Sequence, residues 1–410
     1  MDRRKFLISS ASGGVLASMP LPTDASQAVL AELDRAAAAP VLKKALFTSP
    51  VKIASVELLS GGGNWFVRTR SADGAEGISV PDDRAACLYP ILQRLVIPFF
   101  LGKDARDLDS LIDGVYVYQS NYKMSSLALW CCVAWVEFSI LDMLGKIASR
   151  PVGELLGDVL RTEVPVYAAS GNRGNTAEAE VAVLQRLVEQ TGAKALKFKV
   201  GGRMSNNADS LPGRSEKLIE LARKTLGDGL TLYADSNGSY DAPKAIEIGK
   251  LLEAHQYAYF EEPCPFDHLE ETKEVADALH IPVAGGEQES SAWRFRWMIG
   301  HGAIRVVQPD LRYYGGFIRA TRVARMAGRA GLTLALHLSG GLGYADMMHF
   351  ASYVSNMAPY QEYKGNVPET GGWFDPPVRL VNGALSVPTT PGFGFRKDLE
   401  ELQRAKPFAP

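Results

Sequence analysis

The chain has 410 residues, room for a (β/α)-barrel of about 250 and a second domain of about 100. Its formal net charge of −2 offers no basic field to hold nucleic acid. The four cysteines, Cys87, Cys131, Cys132 and Cys264, show no CxxC pair and no ligand spacing, which argues against a zinc site or a disulfide framework and reads as buried thiols.

The first 28 or so residues stand apart. Arg3-Arg4, then Phe6-Leu7 and a weakly apolar run rich in Ser, Gly and Ala, resemble a twin-arginine export signal cut somewhere between Ala17 and Ala28. The other reading is a disordered basic N-terminus. The run is too short and too polar to anchor the chain in a bilayer. Residues 29–51 are Ala-rich and read as a short helix or linker. From Lys52, KIASVELL, the glycines 61–63, NWFVRTRS, the Asp73-Gly74 turn and AEGISV form a β-meander pattern. Residues 84–122 read as helix, with a break at Pro98 and the segment FFLGKDARDLDSL, 99–111. Residues 127–146 are apolar almost all round, as in a buried helix, and PVGELLGD at 151–158 closes a domain over 52–160.

Over 161–374 the pattern changes. ALKFKV, TLYADSN, YFEEP, VAGGE, RVVQPD and LTLALH are short apolar runs that stop at polar side chains, roughly every 26 residues. That interval suits one strand, one helix and two loops, the βα unit of a parallel sheet. Strands are expected near 164–170, 195–200, 230–235, 257–261, 282–287, 304–310, 332–337 and 357–362, with amphipathic helices such as 242–254 and 318–330 between them. The last segment, 375–410, is Pro- and Gly-rich to 398 and is expected to be irregular and to return to the N-terminal domain.

Polar residues at the C-terminal tips of barrel strands are where such a fold builds its active site. Lys197 and Lys199 share one strand face. If Phe198 faces the helices, both enter the barrel mouth, where mutual repulsion lowers the pKa of one and makes it a base; alone, KxK reads as a solvated pair. A single strand-end acid is more often a helix cap. Asp235, Glu261 and Glu287 on three successive tips would repel unless a cation lay among them, and an all-oxygen set suits Mg²⁺. Asp310 and His337 end the next two strands, close enough for the carboxylate to orient the imidazole. Glu362 ends the eighth and could bond substrate.

Taken together, KFK, ADSN, FEEP, GGE, QPD and LH, in this order, resemble the enolase superfamily and, within it, the mandelate racemase-like group, over roughly residues 52–400. The buried 127–146 stretch and PVGELLGD match the family's cap-to-barrel junction. The resemblance implies an α/β fold, a modified (β/α)₇β TIM-type barrel with an N-terminal α+β capping domain. It implies one Mg²⁺ on Asp235, Glu261 and Glu287, with Mn²⁺ able to substitute. Lys199 would be the acid/base on one substrate face, with Lys197 near the substrate carboxylate, and the His337–Asp310 dyad would act on the other face. Asn237 matches a substrate- or metal-shell Asn. Arg312 and two tyrosines stand where many relatives carry smaller residues, which could bring Arg312 to the substrate. Asp310, where muconate-lactonising relatives carry lysine, argues against that branch.

The activity so implied is abstraction of the proton α to a carboxylate through an enediolate, with dehydration of an acid sugar to a 2-keto-3-deoxy acid as the leading reading. Racemisation or epimerisation of a 2-hydroxy acid is the alternative. A non-catalytic binding protein of the same fold would be favoured by loss of a ligand or base, and none is lost. Expected partners are a small carboxylate, further copies of the chain, and, for the precursor, the twin-arginine export machinery, giving a periplasmic or otherwise exported protein with no membrane anchor in its mature form.

Overall fold

A computed structural model describes residues 27–396 and 398–408. The N-terminal sheet is built by β1 (Ile53–Gly61), β2 (Asn64–Ser71) and β3 (Glu76–Ser79), all antiparallel. Gly62 and Gly63 (φ 61° and 80°) supply the two left-handed positions that a tight β1–β2 hairpin needs. Helix Leu127–Ala148 lies across this sheet. Gly77 permits the approach, since a Cβ there would stand 2.2 Å from the Ser139 carbonyl oxygen. The helix is long and apolar enough to cross a membrane, yet it is buried between sheet and barrel. Two acids on it tie the parts together: Glu137 accepts the N–H groups of Phe317 and Ile318, and Asp142 those of Ile78 and Phe393.

Eight parallel strands then form the barrel: β4 (Glu163–Ala169), β5 (Ala195–Lys199), β6 (Thr231–Asp235), β7 (Tyr259–Glu261), β8 (Val283–Gly285), β9 (Val306–Val307), β10 (Thr333–Leu334) and β11 (Gln361–Tyr363). Pairing of β11 with β4 and the Leu334–Met357 bridge bring the ring round on itself. A helix of ten or more residues follows each of the first seven strands but not β11, the (β/α)₇β arrangement. Alternation gives the lumen its own layer of Tyr167, Tyr233 and Tyr259 with Ala195, Ala284, Val306 and Ala335, separate from the apolar layer beneath the helices. Each tyrosine of β6 and β7 sits two residues before a carboxylate, so the layer is a floor under the mouth.

Several expectations need refinement or correction. Of the two readings of 29–51, short helix or linker, the structure has the helix: Gln27–Ala37 buries Leu30 and Leu33 and docks on the barrel helices, with Asp34 paired to Arg296 at 2.6 Å and Glu32 to Arg329. The break falls at Leu101, within the expected segment 99–111, and not at Pro98 itself. Pro98 lies in the first turn of Ile97–Phe100, where a missing N–H costs no bond, after a π-helical turn over Leu92–Val96. The C-terminal segment joins the barrel before it returns to the cap. Its hairpin of β12 (Leu380–Val381) and β13 (Ala384–Ser386) pairs antiparallel with β4; then the Phe393 N–H bonds Asp142, Leu399 packs with Leu59 and Phe66, and β14 (Lys406–Pro407) pairs with β1. Cys87 is exposed, while the other three thiols are buried.

Candidate active site

Functional side chains gather where β5 to β11 end. Phe198 packs outward against Tyr257, which turns Lys197 and Lys199 into the lumen. The buried Lys197 ammonium lies 2.8 Å from Glu261 Oε1 and 2.8 Å from Glu362 Oε1, and 5.3 Å above the Tyr167 ring. Lys199 pairs with Asp235 and donates to Asn237 Oδ1 at 3.1 Å. The expected repulsion between the lysines gives way to this pairing. Against burial, Glu261 and Glu362 hold Lys197 well above the ordinary lysine range.

Parallel register places Asp235 beside Lys199 and Glu261 beside Asp235. Glu287 lies two residues past β8, and one carboxylate oxygen from each of the three acids falls within 4.8 Å of the others. That span approaches the ~4.2 Å between opposite ligands of a small octahedral cation. All three are buried. Burial and then repulsion from Asp235 push Glu261 up to about 8, whereas the ammoniums of Lys199 and Lys197 outweigh burial and lower Asp235. Glu262, beside them, is raised by burial and by Glu287. Glu287 Oε2 is buried without a hydrogen-bond donor. Crowded oxygens and an unused acceptor fit a hard divalent cation; here the two lysines supply part of its charge. Gln308 Nε2 braces Glu261 at 2.7 Å, and Asn237 N–H braces Asp235 at 2.8 Å.

Asp310 and His337 lie three residues past their two-residue strands and are joined by an isolated parallel bridge. Asp310 Oδ2 stands 2.7 Å from His337 Nδ1, a pairing that fixes the ring and leaves Nε2 for chemistry. Nε2 is 3.5 Å from Glu287 Oε2 and 3.0 Å from Lys364 Nζ. Burial and Lys364 work to lower the imidazole, but Glu287 and Asp310 raise it above its ordinary value.

Glu362 is held by Lys197, by Lys364 at 3.1 Å and by the Leu338 N–H at 2.8 Å. Arg312, expected at the substrate, is buried and bonded to Asp346 at 2.9 Å; its own N–H braces Asp310 Oδ1 at 2.8 Å. Asn237 reaches Glu287 Oε1 at 3.3 Å. Three residues at the site escaped the sequence reading. Lys364 stands two residues after Glu362, so the alternation that paired Lys197 with Lys199 could have found it. Gln308 precedes the QPD acid by two and was equally open to that logic. Arg173, in the loop after β4, donates to Asn237 Oδ1 at 2.7 Å and carried no local signal.

A family model described as "Enolase C-terminal domain-like" matches residues 179–402. An arabinonate dehydratase from Saccharolobus solfataricus is 26% identical over 309 residues, 74% of this chain and 79% of that protein. A solved structure from Roseobacter denitrificans, designated a racemase candidate, is 35% identical with TM-score 0.80, covering 87% of this chain and 98% of its own. A mandelate racemase/muconate lactonizing protein from Paracoccus denitrificans, complexed with magnesium, is 27% identical with TM-score 0.80, covering 88% and 99%. With its barrel, cap and carboxylate triad, the chain belongs to the enolase superfamily, in the mandelate racemase-like group, and is an enzyme of the lyase or isomerase kind.

Proposed function

We propose that the protein catalyses Mg²⁺-dependent removal of the proton α to a carboxylate, and that its substrate is an acid sugar dehydrated to a 2-keto-3-deoxy acid. The observation that carries this reading is one carboxylate cluster flanked by two proton carriers. Lys199 lies against Asp235 and His337 against Glu287, on strands at far sides of the ring. An ion held by Asp235, Glu261 and Glu287, Mg²⁺ or in its place Mn²⁺, would supply Lewis-acid stabilisation of the charge that builds on the substrate carboxylate.

The residues divide the remaining work. Lys197, kept charged by Glu261 and Glu362, donates to the substrate carboxylate. Lys199, released from Asp235 and having given its ammonium proton to solvent, takes the α proton as a neutral amine. His337, held through Nδ1 by Asp310, gives the Nε2 proton to the β-hydroxyl; the C–O bond breaks, water departs, and the enol becomes the 2-keto-3-deoxy acid. Lys199 ends protonated and His337 neutral, and exchange with solvent resets both. The arabinonate dehydratase supports this substrate class by its name.

The same two-sided arrangement supports a second reading, in which one group removes the α proton and the other returns a proton to the opposite face. A panel of acid sugars incubated with Mg²⁺-loaded protein separates the two. A 2-keto-3-deoxy product is expected; an α-epimer without keto acid moves the reading to a racemase, and no change in any acid contradicts both.

Of the leader proposed for residues 1–28, residues 1–26 lie outside the described residues, and the last two, Gln27 and Ala28, open helix Gln27–Ala37. We propose export with cleavage before Gln27, which would leave helix Gln27–Ala37 whole. N-terminal sequencing of protein from its native cell checks this, and an intact Met1 on cytoplasmic protein contradicts it.

A further inference from the structure

On the Lys199 side, the rim of the mouth holds more positive charge than the proposed chemistry uses. Arg173, after β4, and Arg203, after β5, both turn to Asn237 Oδ1, with Nη2 at 2.7 Å and 3.5 Å, while Lys199 Nζ stands at 3.1 Å. Three cations share one neutral oxygen. The amide's other end faces acids, with Nδ2 at 3.2 Å from Glu262 Oε2 and 3.3 Å from Glu287 Oε1. Asn237 therefore divides the mouth into an acidic side suited to a cation and a basic side suited to an anion. Among the described residues, neither guanidinium has a carboxylate within 4.0 Å.

These arginines are built into place. Buried Arg214 donates to the carbonyls of Asn175 (2.7 Å), Lys199 (2.9 Å) and Asn172 (3.3 Å), pinning the Arg173 loop to the end of β5. Buried Glu180 takes the side-chain amides of Asn172 and Asn175 at 3.2 Å and 2.6 Å. The Arg203 N–H is fixed on Ser239 Oγ at 2.9 Å, and the next N–H on the Asn237 carbonyl at 3.0 Å. Arg173 Nε is buried with no acceptor. A guanidinium kept only for structure is expected to satisfy a buried N–H; one left open at a mouth awaits an oxygen. Burial and the nearby Arg203 and Arg214 lower Arg173 from its ordinary value, against the pull of Asp235.

We propose that Arg173 and Arg203, beside Lys199 and over Asn237, form an anion subsite, so that the substrate carries a second anionic group, carboxylate or phosphate, at the other end of its carbon chain. Planar guanidinium forks match either oxyanion. The inference rests on the proposed function for the first carboxylate, and it narrows the substrate class from acid sugars at large to aldarates or phosphorylated aldonates.

The test is calorimetric titration of the full Mg²⁺-loaded chain with a six-carbon aldonate, the matching aldarate and the matching 6-phosphoaldonate, with turnover followed in the same samples. One dianion should bind at least about tenfold more tightly than the aldonate, the aldarate marking a carboxylate site and the phosphoaldonate a phosphate site. Arg173→Met should cut that preference about ten- to a hundredfold, the scale of hydrogen bonds to charged groups, with Arg173→Lys restoring part of it. Arg203→Met, at an exposed position, carries the same test should Arg173→Met fail to fold. Equal binding of aldonate and dianions, or a preference that neither methionine variant moves, overturns the subsite. Arg173-dependent dianion binding without turnover of any acid upholds the subsite and contradicts the proposed function. Turnover of the aldonate without dianion preference does the reverse.

Discussion

Lys199 and His337 reach the same cluster by different supports, and this separates their roles. Lys199 is tied to Asp235 of the carboxylate triad, His337 to Asp310 outside it. In Lys199→Ala, exchange of the α proton with D₂O should survive only for substrates whose α proton faces His337. In His337→Asn, elimination should fall by about 10²–10⁴-fold, the usual share of one acid–base group, while exchange through Lys199 persists. Asp310→Asn should follow the histidine variant, because it misorients the ring without removing it. NMR of the α position alongside product formation reads all three. Equal loss of exchange and elimination in every variant, with metal binding intact, would contradict the two-sided geometry.

The elements show why the cap and barrel act as one body. Glu137 on the long helix accepts the first N–H groups of helix Phe317–Arg329 at 2.7 Å and 2.9 Å. Gly316 (φ 105°) makes room for it, since a Cβ there would fall 1.2 Å from Glu137 Oε2. Gly316→Ala should therefore cost about 3 kcal/mol or more, through left-handed strain and overpacking together. Gly229→Ala, where a Cβ meets nothing within 4 Å, should stay within about 1 kcal/mol. Denaturant titration compares them, and equal stability would remove the latch from the account. What the sequence made legible follows from periodicity. Alternation placed Lys197 and Lys199 on one face and Asp235 and Glu261 at strand ends. It overestimated the regular strands, which end at Val307 and Leu334, while Asp310 and His337 beyond them are still joined by a parallel bridge. Helix Gln27–Ala37 was indistinct, its eleven residues mostly alanine and polar, since its order comes from docking on the barrel. The hairpin on β4 is stabilised by an edge that no local pattern announces. Arg173 and Arg203 are brought together by Arg214 and Asn237 from four separate stretches of chain, a juxtaposition invisible in one dimension.

At the scale of the whole molecule, the ring of strands sets acids and bases around one opening and the tyrosine floor closes it from below. The buried carboxylates of Asp235, Glu261 and Glu287 crowd there, with one oxygen of each within 4.8 Å of the others. A divalent cation on the triad would complete the balance and enable the proposed proton abstraction. The direct measurement is deuterium incorporation from D₂O, at C3 of the 2-keto-3-deoxy product or at the α carbon of recovered acid sugar, with chelator-stripped and Mg²⁺-restored enzyme. Stripped enzyme should incorporate no label above the uncatalysed rate, and Mg²⁺ should restore incorporation together with dehydration, whereas restoration should fail in Glu261→Gln. Full incorporation with the metal removed would contradict the account.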